Sequence, residues 1–288
     1  MVRPKSPSNL FRKRGFFMIT NKDIKDYKRD GVICIRNAIS DQLIEVSRRG
    51  IGQSIAKPGR FFRDYTATDS PARYIFEFWN WWNIRELEEL AFDNSIASMV
   101  ASIIEAEKVL LLMDQWFHRE AGSTNAATWH HDEPYFDFFE GKKCVVWFPL
   151  EDTQILDGLT FIRGSHRWNK LFMAQNFATG KAFQGHTKNY SQMSNFSDLT
   201  KLKLSWDMKK GDCLIFDFRT IHRATLHTGP SSTAVSRISF RYGDKDVIFK
   251  PRGPWTAELS SFLIQAGQKV DSPLKCPYLP VIFDSRNH

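Results

Sequence analysis

The N-terminal third of the chain shows apolar residues at helical spacing, interrupted by one short extended run. The stretch TNKDIKDYKRDG predicts a helix that begins after the capping residue Thr20 and ends near Gly31. The apolar run at 32–35 predicts a strand, and helical periodicity over 41–57 and 84–106 predicts two further helical segments. We therefore expect helices that flank the core on its N-terminal side.

Beyond Lys108 the pattern changes to short runs rich in β-branched and aromatic residues, separated by turn residues. The runs are VLLLMDQWF (109–117), CVVWFPL (144–150), GLTFI (158–162), GDCLIFDF (211–218) and SRISFRY (236–242). Short strands with turn signals between them are typical of an all-β sandwich or barrel. The sequence thus predicts a mainly β fold with N-terminal flanking helices, in a single domain over 19–288.

Two segments fit neither pattern. The aromatic block RFFRDYTATDSPARYIFEFWNWW at 60–82 is expected to supply core and interface anchors, because such rings mostly contribute buried area; a substrate-binding wall is the alternative. The long polar segment at 169–205 contains several Phe and Tyr, and connections of this length often serve as lids or binding loops. We predict a lid-like insertion there, with a passive insertion as the alternative.

The composition and charge of the chain exclude several classes of protein. Its 288 residues are 42% hydrophobic and 25% charged, as in globular proteins, and no apolar stretch approaches the roughly 20 residues of a membrane span. Residues 1–17 hold five of the 40 Lys and Arg and no acid, so the remainder carries 35 basic against 32 acidic residues. This near balance argues against nucleic acid as a partner and predicts a flexible basic tail over 1–18.

The cysteines indicate a reduced, cytoplasmic setting. They form no C-x-x-C pair, which excludes a zinc ribbon and a redox motif, and they are Cys34, Cys144, Cys213 and Cys276. The apolar run at 16–19 is too short for the hydrophobic region of a signal peptide.

The candidate chemistry centres on the stretch TWHHDEPYF. His130 and Asp132 are two residues apart, so in an extended strand both side chains leave the same face while His131 points away. His222, just after a later strand, offers a third ligand. Two histidines and one carboxylate on one face of an octahedral ion are typical of non-haem Fe(II) oxygenases. The three open positions suit a bidentate 2-oxo acid and O2.

Spacing alone leaves other ligands open. The stretch 118–120, His-Arg-Glu, offers a rival pair, and His227 competes with His222 for the distal position. His166 is expected to hydrogen-bond a turn, and His186 lies within the lid-like segment.

Several ordered blocks together resemble a known family. They are DQWFHREAG, TWHHDEPYF, VVWFPLEDT, DGLTFIRGSHRW, WDMKKGDCLIFDFRTIHRAT and SRISFRYGD, preceded by ITNKDIKDYKRDGVICIRNAIS. In this order they resemble the phytanoyl-CoA dioxygenase family of Fe(II)/2-oxoglutarate oxygenases, from about residue 19 to 250. The resemblance implies a double-stranded β-helix (jelly-roll, cupin-like) core and metal ligands at His130, Asp132 and His222.

The resemblance also implies an arginine that binds the distal carboxylate of 2-oxoglutarate. Arg237 fits best, and Arg241 on the same strand face is the alternative. The two lie about 13 Å apart at ~3.3 Å per residue, so only one can bind this carboxylate. We assign it to Arg237 and expect Arg241 to form an ion pair with Asp244 or Asp246.

Other positions match the family less closely. Trp147 corresponds to a family tryptophan near the co-substrate, although a core tryptophan fits equally well. Arg119 stands where the family often has Lys, and Arg223 where it often has Gly. No CoA-binding motif is recognisable.

The predicted activity is an Fe(II)- and 2-oxoglutarate-dependent dioxygenase that uses O2 to hydroxylate a C–H bond of a small molecule, with release of succinate and CO2. Asp132 argues against halogenation, because the resemblance implies that halogenases replace this carboxylate with a small residue. The alternatives are a metal-dependent enzyme on the same barrel that does not use 2-oxoglutarate, and a non-catalytic module that binds metal or nucleic acid. The sequence specifies neither substrate nor oligomeric state.

Overall fold

The computed structural model describes residues 19–66, 72–123, 127–177, 180–185, 188–196, 198–224 and 234–287. The expectations for the basic tail, His186 and His227 lie outside these residues. The helices are α1 (Asn21–Asp30), α2 (Asp41–Ala56), α3 (Arg85–Ala91), α4 (Asn94–Ile103) and α5 (Ala257–Gln265). The strands are β1 (Val32–Ile35), β2 (Phe62–Asp64), β3 (Tyr74–Phe78), β4 (Lys108–Arg119), β5 (Phe138–Phe139), β6 (Lys143–Pro149), β7 (Leu159–Ile162), β8 (Leu171–Phe172), β9 (Tyr190–Ser191), β10 (Lys203–Leu204), β11 (Cys213–Asp217), β12 (His222–Ala224), β13 (Val235–Asp244), β14 (Ile248–Phe249), β15 (Ser272–Pro273) and β16 (Val281–Asp284).

Capping residues set the ends of the N-terminal helices. The Thr20 side chain accepts a hydrogen bond from the Asp23 amide, and the Asp23 carboxylate accepts one from the Thr20 amide, so α1 begins with a capping box. Gly31 ends it at φ 78°, a left-handed conformation that favours glycine. The segment 84–106 forms two helices rather than one, because the Asp93 carboxylate caps a new first turn.

Two antiparallel sheets form the core. The large sheet has the order β1-β11-β6-β13-β4-β3-β2, with β16 also paired to β4, and the small sheet has the order β10-β7-β12. Phe161 of β7 packs on Phe216 of β11 with 5.1 Å between ring centroids, so the two sheets share one apolar interior. This is a double-stranded β-helix, which confirms the expected fold class.

The aromatic block at 60–82 divides between the core and the lining of a cavity. Trp79 and Trp81 are at most 2% exposed and belong to the core, as expected. Phe76 and Phe78 of β3 line a cavity instead. Within the described part of the chain, no helix has both the length and the apolar character that crossing a membrane requires.

A buried polar network joins β3 to the centre of the large sheet. The Asp114 carboxylate accepts a hydrogen bond from the Asn80 amide at 3.1 Å, and the Glu77 carboxylate accepts bonds from the Asn80 side chain and the Gly59 amide. Burial raises the pKa of Asp114 to about 7, and burial also raises the pKa of Glu77. The protonated form of Asp114 is therefore the one that the fold favours.

This shift predicts a pH-dependent stability. Because the folded-state pKa of Asp114 exceeds its unfolded value, its contribution to the free energy of unfolding should fall as the pH rises from about 4 to about 7. Asp114→Asn should reduce the fall in the free energy of unfolding between pH 4 and pH 7 by at least about 1 kcal/mol, measured by urea unfolding at several pH values. The exposed control Asp246→Asn should keep the wild-type slope. Equal slopes in wild type and Asp114→Asn would contradict this assignment.

Candidate metal centre and its cavity

A backbone bridge brings the two predicted histidine ligands together. The His130 amide donates to the His222 carbonyl at 2.9 Å, and the His222 amide donates back at 2.8 Å. This bridge adds His130 to the small sheet beside β12, and it places the two imidazole centroids 4.2 Å apart. Residues far apart in sequence thus share one face of the core.

Hydrogen bonds fix the orientation of both imidazoles. The Nδ1 atoms of His130 and His222 lie 2.8 Å and 2.9 Å from the carbonyl oxygens of Thr128 and Thr220. Because a carbonyl oxygen only accepts, each Nδ1 carries the proton and donates it, which leaves each Nε2 able to bind a metal. Both Nε2 atoms lie 3.8 Å from Oδ1 of Asp132.

Asp132 reaches this point by a different route from the one expected. Its backbone is helical, at φ −72° and ψ −30°, and it precedes the 3-10 helix Glu133–Tyr135, so an extended strand through 130–132 is wrong. The turn still directs the carboxylate at the imidazoles. Arg241 of β13 donates from Nε to Oδ2 of Asp132 at 2.8 Å and from Nη1 to Gln115 at 2.8 Å. This contact leaves Oδ1 facing the two histidines.

The charges of the three side chains suit a divalent cation. Burial, with the neighbouring His222, lowers the pKa of His130 to about 3, and burial lowers the pKa of His222. Burial acts to raise the pKa of Asp132, but the charge of Arg241 beside it, together with the adjacent imidazoles, brings it below its ordinary value. Two neutral imidazoles and one carboxylate, with ligand atoms within 4.8 Å of one another, fit Fe(II).

The rival ligand pair does not converge on a third ligand. The ring of His118 contacts the Ser236 hydroxyl at 2.9 Å, Arg119 forms an ion pair with Asp157, and Glu120 accepts a bond from a backbone amide. Among the described residues, His130, Asp132 and His222 are the group of potential metal ligands that the fold gathers.

Two other histidines have structural contacts, as expected. His131 turns away from the cluster, and its Nε2 accepts a hydrogen bond from the Phe172 amide at 3.0 Å. His166 contacts the Lys28 carbonyl at 3.2 Å and so joins a turn to α1.

A cavity of about 290 Å³ opens beside the three ligands. Arg237, Arg241 and Trp147 all line it. Arg237 donates from Nη2 to the Asp157 carbonyl at 2.6 Å, and its guanidinium lies 5.8 Å from the centre of the Trp147 ring. Burial, with the charge of Arg119, lowers the pKa of Arg237 to about 10, so the group remains cationic at neutral pH.

The expected partner of Arg241 was wrong. The guanidinium binds Asp132, on the segment that carries the metal ligands, rather than Asp244 or Asp246. No local pattern indicates this pair, because β13 and the segment at 130–132 meet only in the folded barrel.

The segment at 169–205 contributes to the cavity wall through residues that include Phe177. The Phe177 ring lies 4.7 Å from the His130 ring and stacks on Tyr135 at 5.3 Å. The Tyr135 hydroxyl donates to the Gln175 carbonyl at 3.1 Å and accepts from the Gln175 amide at 2.9 Å. Sequence reasoning missed Tyr135, and its position in TWHHDEPYF, three residues after Asp132, was the available signal.

Comparison with known proteins identifies relatives in sequence. Residues 27–235 match the phytanoyl-CoA dioxygenase (PhyH) family. The chain is 22% identical to the phytanoyl-CoA dioxygenase domain-containing protein 1 homolog of Dictyostelium discoideum, and the match covers 81% of this chain and 94% of that protein.

Solved structures show the same fold at low sequence identity. The non-haem α-ketoglutarate-dependent carbocyclase SnoK from nogalamycin biosynthesis is 18% identical, with a TM-score of 0.71 over 91% of this chain and 96% of its own. The epimerase SnoN, in complex with Fe3+, α-ketoglutarate and nogalamycin RO, is 15% identical, with a TM-score of 0.70 over 91% and 97%. EctD from S. alaskensis, with 2-oxoglutarate and 5-hydroxyectoine, is 17% identical, with a TM-score of 0.62 over 82% and 80%.

The family match spans more than half of the chain and includes the segments that carry all three gathered ligands. It agrees with the fold and with the donor set of the metal centre. The chain therefore belongs to the phytanoyl-CoA dioxygenase family, and the expected enzyme class, an Fe(II)- and 2-oxoglutarate-dependent dioxygenase, is confirmed.

Proposed function

We propose that this enzyme hydroxylates a C–H bond of a small organic molecule while 2-oxoglutarate and O2 are converted to succinate and CO2. The observation that carries the proposal is the convergence of His130, Asp132 and His222 at the wall of a cavity. A three-ligand site of this kind leaves metal positions open toward the cavity. Iron bound there, with 2-oxoglutarate and O2, supplies the oxidant.

The side chains around the ligands keep the site in one arrangement. The carbonyls of Thr128 and Thr220 hold the imidazoles with Nε2 toward the metal position, and Arg241 holds the carboxylate with Oδ1 toward it. Contacts of this kind raise metal affinity because the ligands need not reorganise. The rings of Tyr135 and Phe177 border the cavity next to His130 and keep water from the reacting atoms.

In this proposal Arg237 binds the distal carboxylate of 2-oxoglutarate. Arg241 already pairs with Asp132 and Gln115, whereas Arg237 contacts a backbone carbonyl, so its guanidinium retains donors for an anion. Its half-buried position in the cavity wall favours a bidentate ion pair with a carboxylate. Trp147, at 5.8 Å from this guanidinium, supplies an apolar wall beside it.

Removal of any one metal ligand should abolish the reaction. His130→Ala, Asp132→Ala and His222→Ala should each lose Fe(II) binding, measured by anaerobic titration calorimetry, and should stop the conversion of 2-oxoglutarate to succinate. His131→Ala and His118→Ala should bind Fe(II) as the wild type does, because their rings contact other groups. Loss of iron from His118→Ala but not from His130→Ala would show that the wrong pair is assigned. Substrate turnover without succinate would favour an enzyme that does not use 2-oxoglutarate.

The two arginines should separate into two phenotypes. Arg237→Ala should raise the 2-oxoglutarate concentration needed for half-maximal succinate release by about 30-fold or more while iron affinity stays near wild type. Arg241→Ala should weaken iron binding by about 10- to 100-fold, because Asp132 loses the contact that orients it. The reverse pattern in these two variants would exchange the assignments.

The segment at 169–205 is proposed to act as a lid. It borders the cavity, and its exposed Lys181 and Lys188 offer trypsin sites. Trypsin should cut there first in the free enzyme, and Mn2+ with 2-oxoglutarate should slow this cleavage because cavity contents stabilise the segment. Cleavage at the exposed Lys269, after α5, serves as the internal reference. Unchanged cleavage of the segment relative to Lys269 would favour a passive insertion.

A further inference from the structure

The cavity beside the metal ligands has an aromatic wall. Its rings come from β3, from the segment at 169–205 and from the turn before α5, and they include Tyr74, Phe76, Phe78, Phe177, Phe183 and Trp255. Rings of this kind contribute large apolar contact areas and stack on flat groups. The volume of about 290 Å³ is close to the roughly 300 Å³ at which small-molecule sites begin.

Most of the cationic side chains that line the cavity already have anionic partners. Among the described residues, four arginines line the cavity, and three of them form ion pairs: Arg63 with Glu258 at 2.7 Å, Arg119 with Asp157 at 3.1 Å and Arg241 with Asp132 at 2.8 Å. The fourth, Arg237, bonds to a carbonyl and is assigned to the co-substrate. No lining cation among these four is therefore left to bind an anion of the substrate.

The Arg63–Glu258 pair decides the charge at the aromatic part of the wall. The Arg63 guanidinium lies 5.5 Å from the centre of the Phe78 ring and would by itself offer a site for an anion. Glu258, an exposed residue on α5, neutralises it. An anionic group placed against this wall would have to compete with Glu258 or remain unpaired in apolar surroundings, which is costly.

We propose that the part of the substrate held in this cavity is uncharged and largely apolar, with a ring system or similarly flat body. We further propose that Glu258 is a specificity residue that acts through Arg63 to disfavour anionic substrates. Both statements rest on the proposed function, because they assign Arg237 to 2-oxoglutarate. Together they exclude substrates whose bound part carries carboxylate, phosphate or sulfonate groups.

A pair of fluorescent probes tests this inference. Phenylnaphthylamine is uncharged, and anilinonaphthalene sulfonate adds a single sulfonate to the same ring skeleton. In full-length protein saturated with Mn2+ and 2-oxoglutarate, the uncharged probe should bind at least about tenfold more tightly than the sulfonate, which is about 1.4 kcal/mol. Phe177→Ala should weaken binding of the uncharged probe. Phe92→Ala should not, because the Phe92 ring is half-buried and lies outside the cavity.

A charge variant tests the specificity residue. Glu258→Gln should tighten sulfonate binding by about threefold or more and leave the uncharged probe unchanged, because only the charge facing Arg63 differs. Glu105→Gln removes another exposed ion pair, with Lys28, and should leave the affinity for both probes unchanged. Glu258 lies on the surface, so Gln there should not disturb folding.

The outcomes separate the two proposals. Equal or tighter binding of the sulfonate in the loaded wild type would overturn the substrate class, and unchanged sulfonate binding in Glu258→Gln would overturn the role of Glu258. Calorimetry of 2-oxoglutarate binding to the Mn2+ form runs alongside. If 2-oxoglutarate does not bind while the probe preference holds, the proposed function fails and the apolar character of the cavity stands.

Discussion

The reciprocal backbone bridge between His130 and His222 is the contact on which the metal centre depends. It joins the segment before Asp132 to β12 and fixes the spacing of both imidazoles through the main chain rather than through flexible side chains. The Nδ1 contacts to Thr128 and Thr220 then settle the ring orientation. With these constraints in place, only the carboxylate needs a side-chain partner, and Arg241 provides it.

The cost of burying the Asp132 charge explains why its partner is an arginine. Asp132 is 2% exposed, and an ionised carboxylate at that depth is unfavourable unless an opposite charge lies against it. Arg241 compensates the charge from the neighbouring sheet and uses the oxygen that does not face the histidines. Since Arg241 is itself held by Gln115, the pair also ties the ligand segment to β4. The same contact leaves Arg237 as the arginine with donors to offer.

Local signals allowed much of this fold to be predicted from the sequence. The Thr20 cap, the helix end at Gly31 and the runs of β-branched and aromatic residues in β4, β6 and β13 act over a few residues, and the structure has each of these elements. The helical expectation over 84–106 was too simple, because periodicity does not show that Asp93 starts a new helix. The ligand spacing was informative although the extended backbone was wrong, since a turn can also direct two nearby side chains at one point.

What the sequence could not provide are pairs that form only when distant strands meet. Arg241 forms an ion pair with Asp132, and Arg63 forms one with Glu258, between elements that share no local sequence pattern. The double role of the aromatic block has the same origin. Alternate residues of β3 face opposite sides, and only the packing of α5 and of the segment at 169–205 determines which rings line a cavity.

The ligand segment also holds the wall that covers it. Residues between and after the ligands contact the segment at 169–205: His131 binds the Phe172 amide, and Tyr135 exchanges two hydrogen bonds with Gln175. Further along the wall, the buried Arg252 binds both Glu133, next to Asp132, and the Tyr190 hydroxyl. Ligand and covering residues therefore alternate along one short stretch of chain. Because each of these side chains lies next to a ligand or within three residues of one, the position of the ligands and the position of the covering residues depend on the same short stretch of backbone.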